Sequence, residues 1–334
     1  MPTTVTKTVK SSGGDYTSLS SWEAGQQGDL VTADELRQAE CYAIDDTTDV
    51  LIDGSTADAT RYMRVYVAAG EGHIGIFSTS KYRLTGGAFG TTKLDVFDSF
   101  TRIEDVQVNH TGGGSGALNI NLRSPDCRIL RVISKGSTGG GGIHINSTGA
   151  IIRNTLAFDA VGNGFMVNNT NSTATIQNCT AVDNNRGFFA SFTGATSTLT
   201  NCLSYSNTTA DFAVAGGGST FAATYNASSD ATADDWAGTG NRVSQTFTFT
   251  SEAGDDFHIT SADAGAKDFG TDLSATFTTD IDGNTRSGSW DIGMDEVAVA
   301  SLIKTINGLA QASVKTVNGL AIASVKTFDG LANV

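Results

Sequence analysis

Two aspartates, Asp159 and Asp183, have the residue type and the spacing for acid–base chemistry. Each lies seven residues after the isoleucine of a recurring motif, at Ile152 and Ile176. If successive copies of the motif stack, the two carboxyl groups lie about 5 Å apart. That separation suits the acid and the nucleophile of a retaining glycosidase, in which one carboxyl has a raised pKa.

Two other interpretations of the same residues stay open. Asn184 and Asn207 could add oxygen ligands to the two aspartates and form a Ca²⁺ site. Asp and Asn are also ordinary turn residues, and a repeat of constant length stacks whatever occupies its turns. We favour the turn interpretation, expect no cofactor other than Ca²⁺, and keep ion binding and catalysis as alternatives.

The motif that relates these aspartates recurs along the middle of the chain. It consists of an apolar residue, any residue, Asn and then a small residue. The successive intervals are 26, 23, 24, 23 and 22 residues. The full copies begin at Ile152, Ile176 and Leu199, and weaker copies without the Asn begin at Ile103, Ile129 and Phe221. Such a period predicts coils of a three-faced solenoid, in which each coil pairs with the next by parallel hydrogen bonds.

Stacked coils place equivalent residues in columns. Asn154, Asn178 and Asn201 should form one column, in which amides bond along the axis and to turn carbonyls. Cys179 and Cys202 should form another, beside Thr155 and Thr224, as interior thiols or as a disulfide if the geometry allows one.

A second pattern follows each copy by 12 to 15 residues, with Gly before alternating apolar positions. If Ile143, Phe165 and Phe188 point inward, their neighbours in sequence point outward. The outward residues are His144, Met166 and Phe189. Exposed Met and Phe in one column predict either an interface in an assembly or a loop folded over them.

The ends of the chain have different patterns. Residues 1–48 read as an N-terminal cap with a short Ser- or Thr-capped helix near Leu19. Residues 49–298 read as the β-helix and its closing segment. Residues 299–334 contain an 11-residue repeat with Asn-Gly or Asp-Gly turns, which predicts β-hairpins that need partners for oligomerisation or attachment.

Composition excludes several classes of function. The net charge of −14 and the lack of a basic stripe argue against nucleic-acid binding. The sequence shows neither a signal-peptide pattern nor an apolar run that could span a bilayer, so no membrane association is expected. The four histidines lack metal-site spacing, and we expect each at the surface or in a turn.

Three stretches resemble right-handed parallel β-helix proteins of bacteria and tailed bacteriophages, which include pectate-lyase-like enzymes and phage tailspikes. They are Gly13–Glu23, the Asn-rich coils and Asp280–Gly293; the tail from Lys304 is similar to C-terminal repeats of phage virion proteins. The resemblance implies an all-β, single-stranded right-handed parallel β-helix with an N-terminal cap and C-terminal hairpin repeats. A lyase of this fold would also need a basic residue beside its carboxylates, and Arg186 is the one offered.

The resemblance supports three functional hypotheses. The first is a structural protein of a bacteriophage particle (fibre, spike or capsid decoration), located in the virion, forming a homotrimer by analogy with phage spikes and contacting other virion proteins. The second is a tailspike, glycoside hydrolase or polysaccharide lyase that degrades host-surface polysaccharide. The third is a carbohydrate-binding adhesin without turnover. We favour the structural role over the enzymatic one.

Overall fold

The structure is a computed structural model. It describes residues 1–114 and 116–298, with side chains except at 137 and 138, and the backbone of six two-residue strands between 305 and 332. Contacts divide the chain into two units, residues 1–296 and 297–334.

The first unit is a right-handed parallel β-helix built from three sheets, which confirms the predicted fold class. Sheet 1 contains Thr3–Val9, Glu35–Cys41, Met63–Val67, Arg102–Glu104, Arg128–Leu130, Ala150–Arg153, Thr173–Gln177, Thr196–Thr200 and Thr220–Thr224. Sheet 2 contains Asp45–Asp46, Arg83–Gly86, Gln107–Gly113, Ile133–Thr138, Leu156–Ala160, Thr180–Val182, Leu203–Tyr205 and Ala227–Ser228. Sheet 3 contains Val50–Ile52, Thr92–Val96, Leu118–Leu122, Gly141–Ile145, Asn163–Val167, Arg186–Ala190 and Ala210–Val214.

The register follows the predicted motif except in its last copy. Ile103, Ile129, Ile152, Ile176 and Leu199 pair in sequence along sheet 1. The next partner of Leu199 is Ala223, and Phe221 pairs with Ser197 instead. The predicted register of that coil was therefore wrong by two residues. Phe221 was taken as the apolar reference residue, whereas the residue that pairs with Leu199 is Ala223. Asn226, and not Thr224, therefore follows Cys202 in its column.

Inward side chains form the core as apolar columns. The clearest column contains Phe165, Phe188 and Phe212, whose rings stack with centroids 4.9 and 5.0 Å apart. This separation matches the distance between neighbouring strands, so the coil spacing itself produces the ring stack. Cys179 and Cys202 are buried free thiols in another column, each donating to backbone carbonyls.

A short helix covers the N-terminal end, as predicted. The helix Leu19–Gln26 begins at a capping box in which Ser18 and Ser21 satisfy each other's backbone N–H groups. Its residues Leu19 and Trp22 are fully buried. A four-residue helix, Leu30–Ala33, follows. The coils begin earlier than expected, because Thr3–Val9 and Glu35–Cys41 already belong to sheet 1 and lie inside the predicted cap of residues 1–48.

The segment after the last coil, residues 249–296, is called here the closing segment. It begins with an antiparallel hairpin of Phe249–Ser251 and Asp256–Ile259, joined through a 3₁₀ turn at Glu252–Gly254. The fully buried Arg286 organises its end, donating to the carbonyls of Gly293, Met294 and Asp295 and pairing with Glu296 at 3.2 Å.

The C-terminal repeats form antiparallel pairs, as the Asn-Gly signals predicted. The pairs are Thr305–Ile306 with Leu309–Ala310, Thr316–Val317 with Leu320–Ala321, and Thr327–Phe328 with Leu331–Ala332. The turn residues themselves, such as Asn307 and Gly308, lie outside the described residues. Within the described part of the chain, no helix has the length and apolarity to cross a membrane.

Candidate functional site

The aspartates chosen from the sequence lie at the end of sheet 2, where the chain bends toward sheet 3. Asp159 and Asp183 are exposed and have φ angles of 59° and 53°, and the same left-handed position is taken by Gly136 and Ser206 in other coils. Asp is among the few side chains that tolerate this conformation. The turn geometry therefore explains these residues without any chemistry.

Asp159 nevertheless has an unusual electrostatic environment. Partial burial raises its pKa, and the negative charges of Asp255 and Asp183 raise it further, while Lys135 acts in the opposite direction. Lys135 forms an ion pair with Asp255 of the closing segment. Arg186 lies over the ring of Phe189, 4.6 Å from its centroid.

The two asparagines proposed as calcium ligands form an internal ladder instead. The Oδ1 of Asn184 accepts the N–H of Ala160 at 3.1 Å, and the Oδ1 of Asn207 accepts the N–H of Asn184 at 2.9 Å. Their amide nitrogens donate to the carbonyls of Ala157 and Ala181 in the preceding coils. These oxygens accept backbone N–H groups, so the asparagines have a structural role in coil-to-coil bonding. The calcium set stays a prediction.

The outward column of sheet 3 contains His144, Met166 and Phe189 in register. Met166 and Phe189 are half-buried, whereas only 7 % of His144 is exposed. Burial lowers the pKa of His144 to about 4. The expected exposure is therefore wrong for His144, and an interface through this column stays a prediction.

The asparagine column occupies the turn after sheet 1 and contacts the closing segment. Asn154, Asn178 and Asn201 all have positive φ angles between 48° and 55°. Asn201 donates to the Oδ1 of Asn178 at 3.2 Å, as amide stacking requires. The amide nitrogens of the column also donate to carbonyls of Thr271, Thr279, Asp291 and Gly293. The column thus joins the coils to the closing segment, a role that the repeat alone does not reveal.

Sheet 1 carries a basic surface that the sequence analysis missed. Arg64, Arg102 and Arg128 occupy the same outward position in three consecutive coils. These residues are separated by 38 and 26 positions in the chain, so no basic run marks them in the sequence. This column was not anticipated from the sequence; in it Arg64 pairs with Glu104, Arg102 is buried and Arg128 is exposed.

Arg102, Arg128 and Arg153 form what we call the arginine face. Arg102 lies over the ring of Tyr62 at 4.6 Å and donates to the carbonyls of Phe100 and Asp126. Arg153 donates to the Oε1 of Gln177 at 2.8 Å. Neither forms an ion pair with any acidic side chain in the described ranges.

Arg128 is the exposed member of the arginine face. It forms no ion pair or side-chain hydrogen bond with the residues that the structure describes. Burial lowers the pKa of Arg102 and of Arg153, and in both cases the charge of Arg128 lowers it further. Arg128 therefore repels both other guanidinium groups of the arginine face, an arrangement that an anion would relieve.

The same sheet becomes neutral and rich in hydroxyl groups toward the C-terminal coils. Thr175 and Thr198 continue the outward column of Arg102 and Arg128, beyond Ile151. A shallow depression of about 260 Å³ lies over this part of the sheet. Its lining includes Thr173, Thr175, Thr196, Thr198 and Thr220. One face thus presents cationic donors at one end and hydroxyl groups at the other.

The histidines depart from the expectation of surface or turn positions. His73, His110 and His144 are buried, and His258 is half-buried beside Asp256, Asp282 and Asp295. A groove of about 330 Å³ is lined by His73 and by charged residues that include Lys81, Asp105, Arg131 and Asp282. Arg131 makes two hydrogen bonds to Asp105, at 2.7 and 2.8 Å, so its charge is already matched.

Comparison with known proteins supports the fold of the central coils. A family model described as "Right handed beta helix region" matches residues 92–227. This match agrees with the right-handed β-helix fold of the central coils. A search of solved structures found a pectate lyase, Pel9A, with a TM-score of 0.50 and 14% sequence identity over 93% of this chain and 94% of that chain. At this identity the likeness concerns the fold alone. No curated protein matches the sequence.

Proposed function

We propose that this protein binds an acidic polysaccharide along the outer face of sheet 1. The observation that carries the proposal is Arg128, an exposed guanidinium without an acidic partner among the described residues, located between two other arginines. Guanidinium groups recognise carboxylates and sulfates through paired hydrogen bonds. The arginine face is therefore suited to a ligand that carries several such anions.

The geometry of the sheet favours an extended ligand. Neighbouring coils are about 4.8 Å apart, so the arginine face has one arginine in each of three successive coils. Arg128 is exposed, Arg153 is half-buried and Arg102 is buried. The hydroxyl-rich end of the same sheet begins two coils beyond Arg128, at Thr175, with Ile151 in the coil between them. A sugar chain that lies along the axis would place acidic groups on the arginines and neutral hydroxyl groups on Thr175 and Thr198.

Polysaccharide is favoured over nucleic acid because of the charge around the arginine face. The chain has a net charge of −14, and Glu104 lies on the same surface. A phosphate backbone with closely spaced charges would be repelled by the rest of the protein. Uronate chains carry fewer charges per unit length and are repelled less.

The test is a binding measurement with Arg128→Ala on the full chain. The probe is polygalacturonate, with a neutral glucan and single-stranded DNA as comparison ligands. We expect the substitution to weaken polygalacturonate binding about tenfold or more, because a hydrogen-bonded charge contributes about 1.5–3 kcal/mol. Arg123→Ala is the matched control, since Arg123 is also exposed but pairs with Asp95 on sheet 3.

Three outcomes of this experiment would contradict the proposal. One is equal binding of parent and Arg128→Ala. Another is equal loss in Arg123→Ala, which would indicate nonspecific charge attraction. The third is preference for DNA over polygalacturonate, which would identify a different ligand.

Polysaccharide cleavage is a second, separate proposal, because Asp159 and Asp183 lie where sheet 2 ends and not on sheet 1. The raised pKa of Asp159 beside Asp183 is the observation that favours it. A reducing-sugar and unsaturated-product assay tests it by comparing the parent with Asp159→Asn and Asp183→Asn. Loss of product in either variant would support an enzyme, and binding without product would support an adhesin. The structural role in a bacteriophage particle, with its trimer, stays a prediction that concerns chiefly the C-terminal repeats.

A further inference from the structure

A second polar site lies in the closing segment and shares no residue with the arginine face. His258, Asp282 and Asp295 each offer a ligand atom, and these atoms lie within 4.8 Å of one another. We propose that these three residues bind a divalent transition-metal ion, with Zn²⁺ as the best match. The ion would fasten the hairpin that carries His258 to the end of the closing segment.

The orientation of His258 is that of a metal ligand. Its Nδ1 is 2.5 Å from the Oδ1 of Asp256, which fixes the ring. Its Nε2 lies 3.3 Å from the Oδ1 of Asp282 and 3.2 Å from the Oδ2 of the same residue. A carboxylate behind a histidine ligand is the usual second shell of zinc sites. Two ligands about 2.1 Å from a tetrahedral ion lie roughly 3.4 Å apart, close to the separation seen here.

Gly75 approaches these atoms closely. Gly75 closes this side with a φ angle of +72°, and a Cβ added there would overlap His258 Nε2 and lie 2.7 Å from Asp282 Oδ1. The N–H of Gly75 donates to His73, which holds the loop in place. Gly75 therefore packs directly against two of the three ligands, and a larger residue at this position would displace them.

An unpaired buried oxygen also indicates a missing cation. Asp280 is fully buried, and its Oδ1 accepts the N–H groups of Asp282 and Asn284. Its Oδ2 has no hydrogen-bond partner in the described part of the chain. The charge of Asp280 acts on Asp295, and a buried carboxylate oxygen without a donor is costly. A divalent ion at the neighbouring ligands would offset that cost.

The ligand types select the metal. One imidazole and two carboxylates suit Zn²⁺, which binds four ligands, whereas Ca²⁺ prefers six to eight oxygens. Among divalent ions of the first transition row, Zn²⁺ also binds such sites more tightly than Mn²⁺. We therefore expect Zn²⁺ to bind and Ca²⁺ and Mg²⁺ not to compete.

The experiment uses the full chain after chelator treatment and dialysis. Calorimetric titration with Zn²⁺ should show one bound ion and a raised melting temperature, and Co²⁺ should give the intense visible absorption of a tetrahedral site. Zn²⁺ that fails to bind at micromolar concentration, or Ca²⁺ that binds equally well, would overturn the proposal.

Variants locate the ion. Asp282→Asn and Asp295→Asn should each weaken Zn²⁺ binding by roughly 100-fold or more, and Asp256→Asn by roughly 10–100-fold, because it removes only the second shell. Asp272→Asn, an exposed aspartate of the same segment, should change nothing. Circular dichroism shows which variants are folded, and unchanged binding in folded Asp282→Asn and Asp295→Asn contradicts the site. Polygalacturonate binding is measured in the same samples, so this outcome is separable from that of Arg128→Ala.

Discussion

The coils and the closing segment are stabilised in opposite ways. In the coils, one residue type recurs at the same position, so that each contact repeats from coil to coil, as in the stack of Phe165, Phe188 and Phe212. In the closing segment, as far as the structure describes it, the contacts do not repeat. A single residue, Arg286, donates to several carbonyls and to the side-chain oxygen of Asn154. The comparison shows that repeated contacts stabilise the coils, whereas a few polar residues that do not repeat hold the closing segment in place.

The largest effect is expected when the closing segment loses Arg286. Arg286→Met leaves Glu296 buried without its partner and removes donors from three carbonyls. Breaking a buried ion pair from one side costs about 3–5 kcal/mol, and we expect the upper end of that range. Hydrogen exchange should show release of the closing segment before the coils, which remain protected.

The control for this substitution is Arg61→Met, which removes an arginine that is partly exposed and pairs with Asp34 and Asp58. A surface pair contributes about 1 kcal/mol or less. Simultaneous loss of protection in the coils and in the closing segment would contradict the separation of the two regions.

A smaller effect is expected in the coils from Phe188→Ala. The ring is fully buried between two others, and its removal leaves a gap that the neighbouring coils cannot close, at a cost of roughly 3–4 kcal/mol. The adjacent Phe189→Ala is the control, since Phe189 is half-buried and points outward. Urea denaturation measures both, and equal losses would show that the inward and outward assignment of this strand is wrong.

The smallest effect concerns pH and His144. Burial lowers its pKa to about 4 in the folded chain, while the unfolded chain has the ordinary value near 6.5. Between these values the unfolded state binds more protons, so the free energy of unfolding decreases as the pH falls from 6.5 to 4, by up to about 3 kcal/mol. His144→Met, which places in this coil the residue found at Met166 in the next, should remove this part of the pH dependence. The same dependence of unfolding free energy on pH in the parent and in His144→Met would show that His144 does not have the lowered pKa.

Much of the β-helix was predictable because its signal is periodic. The apolar positions at Ile129, Ile152 and Ile176 predicted the register, and the Asn-Gly pairs predicted the C-terminal hairpins. The prediction was wrong at Phe221. The turn before this strand contains more residues than the predicted register allowed, and the alternation of apolar residues gives no sign of that difference. Periodicity locates strands reliably, but it counts turn residues poorly, since turns tolerate insertions.

The sites were not predictable to the same degree. Asp159 and Asp183 were found because they repeat, and repetition is also what a turn residue shows. Arg128 was missed because its neighbours Arg102 and Arg153 are 26 and 25 residues away in the chain. His258 was missed because its partners Asp282 and Asp295 belong to a segment without any repeat.

The amino-acid sequence by itself determined the stack of parallel coils, since a constant interval between apolar residues allows few other ways to bury them. Only the tertiary structure decided which outward residues become neighbours, because the length of each turn sets which position of one coil lies above the next. The arginine face and the His258 cluster both depend on that second step. Each brings together charged residues that are far apart in the chain and that no local pattern relates.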